Sequence, residues 1–255
     1  MYIFIDNATC YQIIENGEVF YQAARAFGQF QKILKEFPAD ELHETIVNFH
    51  NTVDRYRIFK EAVAEDKMGR LESVKAEVEF VLAREKDAGI IVDALNEGTI
   101  PLRVTHNDTK LNNVMIDDET GIGICVIDLD TVMPGSMLYD FGDSIRFGAS
   151  TAAEDELDLD KVNMDINLFS EYVKGYLEEL GDSITKEEIE LLPMAAKLMT
   201  LECGVRFLTD YLDGDNYFKI HREHHNLDRA RTQFKLVWDM EQKMDEMHEI
   251  IKKYA

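Results

Sequence analysis

The sequence predicts a mainly α fold of the α+β class, in which a small β-hairpin lies between two helical segments. Apolar residues recur every three or four positions over residues 20–95 and again over residues 168–251, which is the period of amphipathic helices. Between these segments, NVMIDD and ICVID flank the turn ETGIG, a pattern typical of two short antiparallel strands. No internal repeat, linker or change of composition separates domains, so we expect one unit over residues 1–255. Its parts are the helical residues 1–100, the loop and hairpin in 101–150, and the helical residues 151–255.

The N-terminal part begins with YIFID, a short run of aromatic and β-branched residues that predicts a strand. A helix carrying an apolar stripe from Phe20 to Phe37 follows, and Pro38 stops it. Later apolar stripes predict a helix from about Leu42 to Val63 and another over residues 71–82. A shorter helix around Ile91–Leu95 ends at Gly98, a usual position for a left-handed cap.

The C-terminal part is predicted to hold three further helices. The first spans the stripe from Leu168 to Leu180, and the last spans residues 230–251. Between them a helix begins at the capping box of Thr185 and Glu188 and runs towards Leu212. Pro193 lies inside that helix, where we expect a kink, and the acidic residues 154–160 are expected to form a solvated loop.

The charge balance narrows the possible partners. Fifty acidic against 27 basic residues give a net charge of −23, which disfavours binding to nucleic acid and to anionic membranes. No stretch approaches the length of a membrane-spanning helix, and the N-terminus lacks the basic region of a signal peptide. The three cysteines are widely spaced, as is typical of reduced thiols, so we expect a cytoplasmic location.

The residues that carry chemistry lie around the hairpin, in the loop HNDTKLNN at 106–113 and in DLD at 128–130. Phosphoryl transfer needs a proton acceptor, a cation for the phosphate and oxygen ligands for magnesium. Asp108 can accept the proton and Lys110 can reach the transferred phosphate. Asn113 and Asp128 can hold Mg²⁺, because a hairpin brings these two positions together. The alternative for this loop is a polar turn whose acidic residues only cap the backbone.

This pattern, His-x-Asp-x-x-x-x-Asn followed by a later Asp, resembles the catalytic loop of the protein-kinase-like superfamily. Its form here is similar to that of the small-molecule branch, with the aminoglycoside phosphotransferases and choline kinases. More narrowly, VTHNDTKLNNVMID, CVIDLDTVMPGSMLYDFGDSIRFGA and RFLTDYLDGDNYF resemble the N-acetylhexosamine 1-kinases. That group phosphorylates the anomeric hydroxyl of a free amino sugar with ATP and magnesium.

The resemblance implies a role for each matching residue. Asp108 would be the catalytic base, and Asn113 and Asp128 would bind ATP through Mg²⁺. Asp130 would bind the sugar or a second metal ion. His106, Asp140 and Asp143 would brace the catalytic loop, and Arg206 and Tyr217 would close the substrate site. Without the resemblance, these residues have simpler interpretations. Asp130 is equally well a solvated acid at a strand end, and Asp140 and Asp143 are equally well helix caps. Lys110 is compatible with a surface position.

The sequence departs from the kinase pattern before His106. No G-x-G-x-x-G loop and no strand lysine of the V-A-I-K type precede it. We therefore expect the chain to correspond to the C-terminal lobe of such a kinase, without the N-terminal lobe. MgATP would then bind no better than about millimolar, with little turnover by these residues alone. We also expect an exposed apolar patch near Tyr2, Phe4 and Ile124 that self-association could cover.

Three alternatives stay open at this point. VIDLDTV is similar to the nucleophile strand of haloacid-dehalogenase-type phosphatases, although that fold needs alternating strands and helices after the motif. A kinase-like module that binds a sugar or serves as a scaffold without catalysis is the second. His221, His224 and His225 have the spacing of a metal site on a helix, but a polar helix or loop explains them more simply.

Overall fold

Nine α-helices and five short strands make up the part of the chain that the computed structural model describes, residues 4–14 and 16–255. The helices are α1 (Gly17–Ile33), α2 (Thr52–Glu65), α3 (Lys75–Leu82), α4 (Ile90–Asn96), α5 (Met137–Gly148), α6 (Ile166–Leu180), α7 (Lys186–Asp213), α8 (His225–Gln242) and α9 (Met244–Tyr254). The strands are β1 (Ala8–Thr9), β2 (Arg103–Thr105), β3 (Val114–Asp117), β4 (Gly123–Val126) and β5 (Met133–Gly135). The prediction of a mainly helical fold with a small antiparallel hairpin is confirmed.

The strands form two small antiparallel sheets. One has the order β1-β3-β4, and the other pairs β2 with β5. In the hairpin, Val114 lies opposite Val126, whereas Ile116 pairs with Gly123, so Ile124 is an additional residue on β4. This bulge allows both Gly123 and Val126 to face the core, although three positions separate them.

The prediction of an N-terminal strand at YIFID is wrong for residues 4–6, which lie outside any strand. Tyr2 and Ile3 lie outside the described residues. The strand that adds to the hairpin is instead β1, where Thr9 pairs with Ile116. The sequence analysis also missed β2 and β5, because three-residue strands are too short to show an apolar alternation.

The main core lies where α1 packs against α6 and where α5 packs against α7. Phe141 of α5 meets the rings of Tyr172 and Tyr176 at centroid distances of 5.6 and 5.5 Å, and all three side chains are buried. A second cluster of buried apolar residues joins α2 and α3 to α7 and α8. Helix α5 thereby lies in the centre of the molecule, and it carries two of the acidic residues expected at the site.

Several helix boundaries follow the predicted signals. Thr185 and Glu188 form the capping box of α7, and Pro193 lies within that helix. Gly98, with φ of 72°, follows the end of α4 in the left-handed conformation. Glu188 has a second partner, because its carboxylate also receives the guanidinium of Arg103 at 2.6 Å.

Three helix predictions are corrected. The first helix ends at Ile33, so Phe37 lies beyond it and is exposed. The helix expected from Leu42 begins only at Thr52, because the Asn51 side chain caps it and Asn48 has a φ of 57°. Residues 42–51 are consequently irregular, and Ile46 and Val47 are exposed rather than part of an apolar stripe. The single last helix is divided at Lys243, whose Nζ bonds Asp239 and the carbonyl of Met164 at 2.6 and 2.7 Å.

No helix in residues 4–14 and 16–255 combines the length and the apolar character needed to cross a bilayer.

Candidate active site

The loop at 106–113 follows directly from β2 and is fixed by a buried histidine. The backbone N–H of Asp108 donates to His106 Nδ1 at 3.3 Å, so the proton of the ring is on Nε2. That nitrogen donates to the carbonyl of Ile127 at 2.9 Å. The ring also contacts Phe27 and Phe30 edge-on. His106 therefore joins the start of the loop to the residue immediately before Asp128.

Asp140 lies at the first turn of α5 and holds the same loop through the loop's backbone. Its carboxylate accepts the backbone N–H groups of His106 at 2.9 Å and of Asn107 at 2.8 Å, and the Gln31 amide at 2.8 Å. Burial raises the pKa of Asp140, and these hydrogen bonds oppose that rise. Asn107 has a left-handed backbone with φ of 65°, so the carboxylate holds the loop in a conformation that few non-glycine residues adopt.

Asp143, one turn further along α5, has a different partner. Its carboxylate accepts Arg146 Nε at 2.9 Å, and Arg146 also reaches Glu154 at 2.9 Å. Burial would raise the pKa of Asp143, but Arg146 more than offsets this and holds the pKa below its usual range. The acidic stretch at 154–160 is thus not only a solvated loop, because Glu154 and Asp155 form ion pairs with Arg146 and Arg222.

Three chemically distinct groups meet within the loop. Lys110 Nζ lies 2.6 Å from Asp108 Oδ1, and Asn113 Nδ2 donates to Asp108 Oδ2 at 3.2 Å. Burial works against the charge of Lys110, but its bond to Asp108 more than compensates, so the pKa of Lys110 lies above its ordinary value. The loop therefore presents a carboxylate, a protonated amine and a carboxamide side by side.

Asp128 is placed beside Asn113 by the hairpin. The N–H of Ile127 donates to the carbonyl of Asn113 at 2.9 Å. Asp128 itself has φ and ψ of 61°, a left-handed conformation that is uncommon for non-glycine residues and is concentrated at functional sites. Within the described residues, neither its carboxylate nor Asn113 Oδ1 accepts a hydrogen bond. These oxygens fit Mg²⁺, which is usually held by one or two carboxylates together with substrate phosphates.

A cleft of about 440 Å³ opens on the other side of Asp108 and Lys110. Its remaining charged or titratable lining residues are His50, Asp143, Arg146, Glu154, Glu202, Cys203, Arg206, Lys219, His221 and Arg229. Basic side chains thus collect here in a chain whose net charge is −23. Arg206 forms no hydrogen bond or ion pair with any described residue, and its guanidinium lies 5.4–5.8 Å from the rings of Phe49, Tyr217 and Phe218.

The structure separates some of the residues that the sequence grouped together. Tyr217 is 70 % exposed and lines a neighbouring cavity of about 170 Å³ that shares Arg206 with the cleft. Asp130 is exposed and lines neither cavity. Two lining residues, His50 and Glu202, had no sequence signal, because 152 positions separate them and nothing local marks either as buried.

The three histidines near the start of α8 hold the chain in place. His225 is buried; its Nδ1 accepts the N–H of His221 at 3.2 Å and its Nε2 faces Asp155 at 3.0 Å. His224 Nδ1 lies 2.9 Å from the Tyr211 hydroxyl. These contacts hold the segment that carries Tyr217 and Phe218 against Tyr211 of α7 and against Asp155.

A comparison with models of protein families matches the part of the chain that contains the loop and the hairpin. The family model described as the phosphotransferase enzyme family matches residues 12–174, which include every element of the catalytic loop and the hairpin. This match covers more than half of the chain, and the chain therefore belongs to the phosphotransferase enzyme family.

Solved structures with a similar fold are small-molecule kinases. They include a microcompartment-associated aminopropanol kinase, with a TM-score of 0.60 and 15 % identity over 96 % of this chain and 68 % of that one. A choline kinase from Cryptosporidium parvum has a TM-score of 0.60 and 13 % identity over 98 % and 73 % of the two chains. An ethanolamine kinase from Plasmodium vivax has a TM-score of 0.54 and 14 % identity over 90 % and 64 %. These likenesses show a kinase-like fold.

Proposed function

We propose that this chain transfers a phosphoryl group from MgATP to a hydroxyl group of a small sugar of the N-acetylhexosamine type. The observation that carries the proposal is the juxtaposition of Asp108, Lys110 and Asn113 on one loop, with contacts of 2.6 and 3.2 Å to the Asp108 carboxylate. Membership of the phosphotransferase enzyme family supports the reaction class. The choice of an N-acetylhexosamine comes from the resemblance of three sequence segments to the N-acetylhexosamine 1-kinases, and the charges of the cleft beside the loop support it.

In this proposal each group of the loop has one task. Asp108 receives the proton of the attacking hydroxyl, the usual role of a positioned carboxylate in this reaction. Lys110, held protonated by its bond to Asp108, offers positive charge to the transferred phosphate. Asn113 Oδ1 and Asp128 would hold Mg²⁺, which neutralises charge on the phosphates when it is bound. Asp140 and His106 keep these residues in register through the loop backbone.

The charges of the cleft favour a neutral polyhydroxylated substrate over an amino alcohol. Each acidic residue of the lining already has a cationic or histidine partner: Lys110 for Asp108, Arg146 for Asp143 and Glu154, and His50 for Glu202. Arg206 and Lys219, by contrast, form no ion pair with any described residue. An ammonium group would therefore meet unpaired positive charge, whereas hydroxyl and carbonyl oxygens would meet hydrogen-bond donors.

A substrate panel tests the proposal. The chain at micromolar concentration, with millimolar MgATP, is incubated with N-acetylglucosamine, N-acetylgalactosamine, glucose, choline, ethanolamine and 1-amino-2-propanol. Phosphorylated product is then measured by mass spectrometry. Turnover should be slow because MgATP binds weakly, so product is collected over hours. We expect product from at least one N-acetylhexosamine and at least tenfold less from each amino alcohol. A preference for choline, ethanolamine or aminopropanol would contradict the sugar assignment while leaving the phosphotransferase reaction intact.

A further inference from the structure

His50 lies at the end of the irregular segment before α2 and is locked in one orientation. Its side chain is only 7 % exposed, and its Nδ1 lies 2.9 Å from Oε1 of the fully buried Glu202 on α7. The ring also packs against Phe49, at a centroid distance of 4.4 Å, and Tyr139, at 5.2 Å. A buried ring that packs against two aromatic rings and is bonded at one nitrogen has little room to turn and exchange its two nitrogens.

Glu202 determines which nitrogen carries the proton. Burial would raise the pKa of Glu202, but His50 and the nearby Arg206 and Arg55 more than offset this, so the pKa lies below its ordinary value. The carboxylate is therefore an acceptor only, and it receives the Thr52 hydroxyl at 3.2 Å as well as the imidazole. In the neutral ring the proton is then on Nδ1, and Nε2 is an acceptor.

This acceptor has no partner within the described residues. His50 Nε2 is buried and makes no hydrogen bond, which is a costly arrangement for a polar atom. The same residue lines the cleft that holds Asp108 and Lys110. Nδ1 is bonded to Glu202, so Nε2 is the ring atom that lacks a partner, and a group in the cleft reaches it once a neighbouring side chain moves aside.

We propose that His50, oriented by Glu202, accepts a hydrogen bond from a substrate hydroxyl other than the one that is phosphorylated. This inference rests on the proposed function and narrows its substrate to compounds with a second hydrogen-bond donor besides the hydroxyl that is phosphorylated. Choline, whose single hydroxyl is directed at Asp108 and whose quaternary ammonium carries no N–H, would leave the buried acceptor unpaired. Sites of this kind reject analogues that lack the donor, because the cost of the unpaired group returns.

Calorimetry of sugar binding without ATP tests the contact. N-acetylglucosamine and its 3-deoxy, 4-deoxy and 6-deoxy analogues are titrated into the wild-type protein and into the His50→Asn variant. Asparagine can still donate to Glu202 from the position of Nδ1, but it deletes the acceptor at the position of Nε2. His43→Asn is the matched control, because His43 is an exposed histidine of the same irregular segment. Thermal unfolding establishes that each variant is folded.

We expect one deoxy analogue to bind the wild type at least about tenfold more weakly than the parent sugar, the loss that an unpaired buried acceptor produces. His50→Asn should bind the parent about tenfold more weakly and lose the discrimination against that analogue, as two partners of one contact do in a double-mutant cycle. His43→Asn should behave as the wild type. If His50→Asn does not fold, His50→Gln serves instead. Its amide oxygen reaches the position of Nε2, so it should restore the discrimination.

Two results would overturn the inference, and only the second would also overturn the proposed sugar substrate. If folded His50→Asn keeps the wild-type pattern across the deoxy analogues, or if His50→Gln is folded and loses it, Nε2 is satisfied by a buried water or by nothing, and the sugar assignment stands. If the wild type binds none of the sugars but phosphorylates an amino alcohol, the inference fails together with the proposed substrate.

Discussion

Replacing Gly142 by alanine tests whether the packing of α5 positions the catalytic loop. Gly142 lies between Asp140 and Asp143 on α5, where α5 passes close to α7. A Cβ atom there would lie 2.4 Å from the carbonyl oxygen of Ala195 and 2.5 Å from Met199 Cγ. The carbonyl belongs to a helix backbone and cannot swing aside, so ordinary contact requires α5 to move by about 1 Å.

The magnitude follows from two opposing effects. Alanine gains about 1 kcal/mol of helix propensity over glycine, while overpacking of this kind costs about 3 kcal/mol. The net loss of roughly 2 kcal/mol should lower the melting temperature by about 4–8 °C in a chain of this length. Because Asp140 carries the loop through His106 and Asn107, a 1 Å shift should also reduce the rate of phosphoryl transfer by about 10²-fold.

Gly175→Ala provides the matched control. A Cβ atom at Gly175 would lie 2.5 Å from the carbonyl oxygen of Tyr21, a clash of the same kind between α6 and the start of α1. Neither Gly175 nor Tyr21 forms a hydrogen bond with the catalytic loop. The melting temperature should therefore fall by a similar amount, while the rate of phosphoryl transfer changes little. The two variants are compared by thermal unfolding and by product formation at millimolar MgATP. A Gly142→Ala protein as stable as the wild type, or one whose rate falls no more than that of Gly175→Ala, would refute the reasoning.

Two further outcomes are expected. Calorimetry should give a dissociation constant for MgATP of about a millimolar or weaker, since few groups offset a net charge of −23 near Asp128; a micromolar value would show that another part of the chain holds the phosphates. Burial raises the pKa of Cys203 to about 12, so only about one thiol in 10⁴ is ionised at pH 8. Iodoacetamide at that pH should react much more slowly with Cys203 in the folded protein than after unfolding, and labelling at the rate of an ordinary thiol before unfolding would contradict the raised pKa.

The sequence predicted the loop and hairpin because their residues are consecutive and their spacing is set by local turns. Asn113 and Asp128 meet through one β-hairpin, and the capping box of Thr185 and Glu188 is a local pattern of the same kind. The expected start of α2 failed for a local reason as well, since the asparagines at 48 and 51 outweigh the apolar spacing of residues 46–63.

Long-range packing could not be predicted in the same way. His50 and Glu202 are 152 positions apart, and only the crossing of two elements makes them a pair. The division of α8 from α9 depends on contacts of Lys243 with the segment before α6, which have no signature in the helical period. The roles assigned to Asp130 and Tyr217 came from resemblance, and the structure places these side chains outside the cleft that contains Asp108.

Two of the three residues expected in an apolar patch are exposed. Phe4 and Ile124 are exposed, and Ile122 and Leu129 add further exposed apolar surface near the hairpin, while Tyr2 lies outside the described residues. Self-association over this surface stays a prediction.

The most direct test of the proposed reaction follows product formation by ³¹P NMR in the wild type and in Asp108→Asn. With millimolar MgATP and an N-acetylhexosamine, the wild type should convert the γ-phosphate resonance slowly into that of a sugar phosphate. Asp108→Asn keeps the shape of the side chain but removes its capacity to take a proton, so the rate should fall by about 10²–10⁴-fold while sugar affinity changes only a few-fold. An Asp108→Asn protein that retains most of the wild-type rate would contradict the assignment of Asp108 as the base.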